Sequence, residues 1–406
     1  MWALAIRTGS LSRPRRFDPA AGSAVVKAVV PDSSVAGVPG ETDAPAPLLR
    51  PIAFSEISGW DDDDHAAAFR AFRAGCVKIL ETPSKTRSLG VSGADLQEAA
   101  RLAMRVPDLI GERLSKTFFE SCFIPHRIEA PGFVTGYYEP EVAASRTCTD
   151  RFVVPLYRRP NDLLEVTAAE QPPGWDPEIR FARDTGSGLT PFFDRAAIQA
   201  GALAGRGLEI AWLEDPVDAF FVHVQGSARL RLTDGQVSRI AFDGKSGHLY
   251  TSIGRLAVER GVLAREKAHK DGLETWLKSH PEEGGALMRE NRSFIFFRET
   301  ELADTDGPLG AAGVSLTPGR SLAVDRTLHT FHAPIWVDAL SVSDPDRVGR
   351  GFRRLMVAQD TGSAILGPAR GDLFLGSGGE AGSLAGRVSD PATMTLFVPV
   401  RSGGAE

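Results

Sequence analysis

Residues 355–376 read Leu-Met-Val-Ala-Gln-Asp-Thr-Gly-Ser-Ala-Ile-Leu-Gly-Pro-Ala-Arg-Gly-Asp-Leu-Phe-Leu-Gly. Two short apolar runs, 354–359 and 372–375, are separated by Gly, Ser and Pro, which is the pattern of strands joined by a turn rather than of a helix. An aspartate stands at one end of each run, Asp360 and Asp372. A carboxylate at the end of a buried strand is partly withdrawn from water, which favours its protonated form and suits acid catalysis. Asp325, after Ser-Leu-Ala-Val, is a third of the same kind. Taken singly, each could simply close a turn by bonding its own backbone.

Outward from this stretch, further strands are expected at 293–297, 334–337 and 394–400. Earlier in the chain they are expected at 152–157, 219–225 and 228–233, the last turning back through Asp234-Gly235. Phe69, Phe72, Cys76, Ile79 and Leu80 recur at helical spacing behind the capping run Asp61–Asp64 and before Pro83. Further helices are expected over 94–106 and 111–119. Helix formers return from 252 to 290, broken at Gly261, Pro281 and Gly284-Gly285. Helix, strand, helix, strand in this order predicts a mainly β protein of the α+β class, not a βαβ repeat. Residues 1–50, rich in Pro, Ala, Gly and Ser from Ser10 onward, read as a disordered leader.

The 406 residues carry 46 basic and 52 acidic side chains, a net charge of −6, and 42% are hydrophobic. This is a soluble globular composition without the clustered basic face that nucleic acid demands. No apolar run is long enough to span a bilayer as a helix, and no secretory signal is readable between Met1 and Val30. Cys76, Cys122 and Cys148 have no zinc spacing, and at most one of three pairings could form. Serine-hydrolase, phosphate-loop and zinc-helix motifs are absent. His329 and His332 are read as surface and loop histidines, since no third ligand accompanies them, and no metal is expected. Asp184-Thr-Gly-Ser187 and Asp360-Thr-Gly-Ser363 resemble the paired motifs of aspartic proteases. Asp184 follows an arginine instead of an apolar strand, which argues against that reading.

Gly132-Phe-Val-Thr-Gly-Tyr-Tyr-Glu-Pro140 sets adjacent tyrosines between Gly and Pro, and Val222-His-Val-Gln-Gly-Ser227 sets an amide and a hydroxyl at an expected strand end. Amphipathic rings beside amide donors suit hydroxyl-rich ring ligands such as sugars; core tyrosines with bonded hydroxyls are the alternative.

Taken together, these segments resemble the membrane-bound lytic murein transglycosylase A family, with its C-terminal 3D domain. Pro191-Phe-Phe-Asp-Arg195, Ala211–Phe220, Gly244–His248, Ser252–Gly254, Ser321–Asp325 and Gly371–Gly376 add to the likeness, which covers roughly residues 125–400. The resemblance implies a double-psi β-barrel domain (51–141 with 262–402), an inserted smaller β-domain (142–261), and a groove between them. It implies cleavage of the β-1,4 bond between N-acetylmuramic acid and N-acetylglucosamine of peptidoglycan glycan strands, without water, leaving 1,6-anhydromuramyl ends. Asp372 would be the acid and then the base. Asp360 would orient the sugar or hold Asp372 protonated by repulsion, and Asp325 would be structural. Thr135, Tyr137, Gln225 and Ser227 would grip the glycan, with Gly379 and Gly382 forming a wall for close approach. No cofactor is implied. The family location is the periplasm, with outer-membrane association, although no lipidated cysteine is readable here. Ala228 and Ser363 replace expected glycines, and one extra residue separates Asp360 from Asp372. A peptidoglycan-binding scaffold that has lost the chemistry is the competing reading.

Overall fold

The computed structural model describes residues 48–400 except 108–109, 168, 177–178, 302–306, 344–350 and 363. The expected leader therefore lies outside the described residues, apart from 48–50. The first described element is β1 (Leu49–Pro51), followed by α1 (His65–Glu81), α2 (Gly93–Arg105) and α3 (Glu112–Cys122). Strands β2 (Phe123–Ile128), β3 (Gly132–Glu139), β4 (Glu141–Ser145), β5 (Val154–Tyr157), β6 (Leu163–Glu165), β7 (Phe181–Asp184) and β8 (Leu189–Thr190) come next. After the short α4 (Arg195–Ala197) come β9 (Glu209–Leu213), α5 (Pro216–Gln225), β10 (Ser227–Leu232) and β11 (Val237–Lys245). Helices α6 (Ile253–Glu259), α7 (Lys270–Ser279) and α8 (Pro281–Glu290) lead to β12 (Ile295–Thr300). The rest is β13 (Ser321–Val324), β14 (Pro334–Ser343), β15 (Gly351–Asp360), β16 (Arg370–Ser377), α9 (Gly378–Ala385) and β17 (Ser389–Pro399).

The larger sheet runs β1-β2-β17-β14-β15-β13-β16-β3, and a further β17–β3 pairing joins its far end back on itself. Strands β17, β14, β15, β13, β16 and β3 thus form a closed ring, which leaves no exposed edge among them. Its core is continuous with the helical layer. Asp64 caps α1 by accepting from the Ala67 N–H, and α1 buries Phe69, Phe72, Cys76 and Ile79. Phe72 meets Phe118, Phe119 and Phe123 in edge or tilted ring contacts. Arg320 and Asp63, both buried, fasten the approach to α1 onto the barrel through two hydrogen bonds of 2.8 and 2.9 Å.

The second sheet has the order β12-β11-β10-β4-β9-β5. Strand β3 continues through Pro140 directly into β4, so one extended segment serves both sheets. At this crossing Glu139 is buried: it accepts from Ser377 Oγ at 2.7 Å and lies 3.4 and 3.5 Å from Arg229 and Arg239. The expected boundary at 261 cuts this unit, because β12 pairs with β11 and α6–α8 share an apolar cluster with α5.

Two local expectations fail. Residues 219–225 form a helix, not a strand: Asp215 caps it by accepting from Val217 N–H, Pro216 occupies its first turn, and Gly226 ends it at φ 79°. Gly284 and Gly285 do not break α8, which begins at Pro281 and runs through them.

Candidate functional site

Strand pairing brings the two principal aspartates to one place. Ala323 on β13 pairs with Asp360 on β15 at one side and with Asp372 on β16 at the other. Asp372 in turn pairs with Thr135 on β3. The row therefore runs Asp360, Ala323, Asp372, Thr135 across four strands, and Ala323 presents only a methyl group between the acids. Because side chains alternate along a strand, Phe133, Thr135 and Tyr137 share one face of β3 with Arg370, Asp372 and Phe374 of β16. Tyr137, Phe374, Ala323 and Leu316 form an apolar cluster beneath the acids.

Asp372 is 2% exposed, and its Oδ1 accepts a hydrogen bond from the Thr135 hydroxyl at 2.5 Å. Among the described residues, its second oxygen has no hydrogen-bond partner. Asp360 is bound at both oxygens, by the Tyr137 hydroxyl at 2.8 Å and by the Ala311 backbone N–H at 3.0 Å. Burial pushes the Asp360 carboxyl above the usual range against the effect of these bonds, and the charge of Asp372 adds to the rise. Tyr137 is held well above the usual tyrosine range, first by burial and then by Asp360, so it remains a donor.

Thr135 is fully buried and its proton is committed to Asp372, so it offers a glycan no surface. Tyr137 is likewise buried, with its hydroxyl on Asp360. Gln225 lies at the end of helix α5, not of a strand, and its Oε1 accepts from the Tyr138 N–H at 3.3 Å. Ser227 begins β10 and is half-buried. The expected glycine wall is instead helix α9. A Cβ on Gly382 would stand 2.7 Å from the Tyr138 ring, so this glycine admits a tyrosine, not a sugar; Gly379 faces open space.

Asp325 accepts from the Thr327 hydroxyl and N–H and from Gly367 N–H, tying down the loop between the two acids. Burial opposes its ionisation, but these bonds hold its carboxyl below the usual range. His329 and His332 are buried rather than at the surface, and burial lowers both, His332 to about 4. Among the described residues no group of three or more His, Cys, Asp or Glu could hold a metal ion. Asp184 sits exposed in the separate β6-β7-β8 sheet, accepting from Gly186 N–H, far in topology from Asp360; the protease motif is a turn. All three cysteines are free.

Arg370 was missed in the sequence. It lies two residues before Asp372 on the same strand face, which strand alternation alone could have revealed. Its guanidinium donates to Thr135 Oγ1 at 2.6 Å and to the Gly371 carbonyl, and lies 5.7 Å from the centre of the Phe133 ring.

Residues 133–298 match the family model of the MltA specific insert domain, and residues 320–398 that of the 3D domain. The fold superposes on a membrane-bound lytic murein transglycosylase from Agrobacterium tumefaciens with a TM-score of 0.80 and 42% identity, covering 86% of this chain and 97% of that one. The chain belongs to the membrane-bound lytic murein transglycosylase A family. MltA from Neisseria gonorrhoeae is 30% identical at a TM-score of 0.72, covering 86% of this chain and 92% of that one. Membrane-bound lytic murein transglycosylase A of Vibrio cholerae is 35% identical over 195 residues, 47% of this chain and 52% of that protein. The protein of the same name from Escherichia coli K12 is 31% identical over 255 residues, 62% of this chain and 61% of that protein. The chain's match thus spans about half to three-fifths of these two relatives. Thr135, Tyr137, Gln225 and Ser227 fall within the insert-domain match; Asp325, Asp360, Asp372, Gly379 and Gly382 fall within the 3D match.

Proposed function

We propose that this chain is a lytic transglycosylase that cleaves the β-1,4 bond between N-acetylmuramic acid and N-acetylglucosamine in peptidoglycan. Family membership supports the substrate class, and the unequal binding of the two carboxyls supports a mechanism with one acid. Glycosidases that use water or a covalent intermediate need a second carboxylate as base or nucleophile. Asp360 is poorly suited to that task, because both its oxygens already accept hydrogen bonds. Asp372 keeps one oxygen without a hydrogen-bond partner among the described residues.

In the proposed reaction Asp372 gives its proton to the glycosidic oxygen as the C1–O bond breaks. The C6 hydroxyl of the same muramic acid attacks C1, and its proton passes to the Asp372 carboxylate, which restores the acid. No water is consumed. The tethered nucleophile replaces the second carboxylate, since well-oriented intramolecular attack reaches effective concentrations of about 10⁵ M or more. Tyr137 and Ala311 fix Asp360 beside the reaction, where it orients the sugar. Gln225 and Ser227, at the α5–β10 junction against Tyr138, contribute to gripping the glycan.

The six-stranded ring is, in this reading, the family's double-psi barrel. In this reading the chain works in the periplasm, where its substrate lies, with the outer-membrane association expected of the family; among the described residues no helix is long and apolar enough to cross a membrane. Digestion of purified peptidoglycan sacculi tests the activity. Mass spectrometry is expected to show muropeptides one water lighter than hydrolysis products, absent with Asp372→Asn. Hydrated reducing ends would require a second carboxylate, and binding without cleavage would make the chain a scaffold.

A further inference from the structure

We propose that Arg370 is a positioning residue for Asp372, acting through the Thr135 hydroxyl to decide which oxygen of Asp372 carries the proton. The inference rests on the lytic reading above and extends it to a residue to which the sequence reading gave no role.

A guanidinium donates hydrogen bonds and accepts none, whereas a threonine hydroxyl has one proton and two lone pairs. The direction of the contact between Arg370 and Thr135 is therefore fixed: Arg370 donates, at 2.6 Å, into a lone pair of Thr135 Oγ1. The Thr135 proton must then point elsewhere, and the acceptor within reach is Asp372 Oδ1 at 2.5 Å. A cation feeding a hydroxyl that feeds a carboxyl is a charge-assisted chain, in which each bond strengthens the next. Thr135 has no exposed surface, so water does not compete for this proton.

With Oδ1 occupied as an acceptor, a proton on the Asp372 carboxyl resides on Oδ2, the oxygen without a partner among the described residues. Without Arg370 the hydroxyl is free to rotate and accept from Asp372. The acid then spends its proton on Thr135 instead of on the glycosidic oxygen. The guanidinium is itself held in place by the Gly371 carbonyl on its other amine and by the Phe133 ring. The other titratable groups facing this arrangement are Asp360 from β15 and Tyr137 from β3, and these are bonded to each other.

The test compares turnover of sacculi by the wild type, Arg370→Met, Thr135→Val, Thr135→Ser and the double variant Arg370→Met/Thr135→Val. Arg370→Met is expected to lower kcat by roughly 10- to 100-fold with KM unchanged, because an acid misdirected in the ground state loses part of a general-acid contribution of about 10²- to 10⁴-fold. Thr135→Val loses a similar amount and Thr135→Ser recovers most of it, since serine restores the hydroxyl. The double variant is no slower than Thr135→Val, because residues acting as a unit do not add. Arg370→Lys, which keeps the charge without the fork, falls between wild type and Arg370→Met. Wild-type kcat in Arg370→Met, a loss confined to KM, or multiplying losses in the double variant each overturn the proposal.

Neutron crystal structures of wild type and Arg370→Met, which show where the proton lies, separate this inference from the activity itself. A Thr135 hydroxyl proton that points at Asp372 Oδ1 in the wild type and away from it in the variant supports the relay even if sacculi are not cleaved. A Thr135 proton that points at Asp372 Oδ1 in both overturns it.

Discussion

Asp360 and Asp372 pair with the same residue, Ala323, from its two sides. Adjacent strands lie about 4.8 Å apart, so the two aspartate backbones are separated by roughly 10 Å with only a methyl group between. The acids are near enough to work on one sugar ring, yet their environments differ: one is bonded at both oxygens, the other at one.

That asymmetry predicts unequal losses on amidation. Asp372→Asn removes the only proposed proton carrier and is expected to cost at least about 10²- to 10⁴-fold in turnover of sacculi. Asp360→Asn keeps one acceptor oxygen, so it retains either Tyr137 or Ala311 as a partner, and a loss of about tenfold is expected. Release of anhydro-muropeptides measures both. The opposite order would transfer the acid's role to Asp360.

Asp360 also predicts how stability depends on pH. Its carboxyl titrates above the usual 3.8 in the native state. Between 3.8 and the native value, the folded chain holds a proton that the unfolded chain has released. Stability therefore falls as pH rises through that window, and the deficit is complete above it. Asp360→Asn removes this deficit. The difference in Tm, variant minus wild type, is expected to grow between pH 3.5 and pH 7.5, and a constant difference would contradict the burial effect.

Much of this was legible in the sequence where one local rule governed the outcome. The spacing of Phe69, Phe72, Cys76 and Ile79 marked α1, and turn residues around Asp360 and Asp372 marked the strands that carry them. Reading failed where packing or a cap overrode local preference. Phe220-Phe-Val-His-Val224 looks like a strand, but the Asp215-Pro216 start signal outweighs its β-branched residues. The glycines of 378–386 read as a wall for close approach of a sugar, but Gly382 and Gly386 let helix α9 lie against Tyr138 and Lys270. The contact between Arg370 and Thr135 spans 235 positions and has no local signature at all.

Gly382 supplies the next prediction. Since its Cβ would stand 2.7 Å from the Tyr138 ring, Gly382→Val forces Tyr138 or α9 to move, and overpacking of this kind costs about 1–3 kcal/mol. Tyr138 N–H holds Gln225, so weaker retention of sacculi in co-sedimentation is expected beside the lower stability. Gly379→Val, which meets nothing within 4 Å, should fold at least as stably as wild type, since valine is a better helix former than glycine. Equal destabilisation by the two would show that α9 does not rest on Tyr138.

The barrel strand that carries Ala323 is anchored by a buried ion pair, and this makes the site's geometry testable through stability. Arg320, immediately before β13, donates to both oxygens of Asp63 and to the Leu355 carbonyl, while Leu355 N–H donates to Asp63 Oδ2 at 2.9 Å. Asp63→Ala strands a buried guanidinium and a backbone donor, and breaking such a pair costs about 3–5 kcal/mol. Replacing both partners by apolar residues, as in Asp63→Leu/Arg320→Met, removes the uncompensated charge and is expected to recover most of that loss. Urea unfolding measures each step. Recovery of stability with turnover still reduced would mean that the pair sets the position of β13, and with it the spacing of Asp360 and Asp372, beyond holding the fold together. Full recovery of both would reduce it to an anchor that apolar packing can replace.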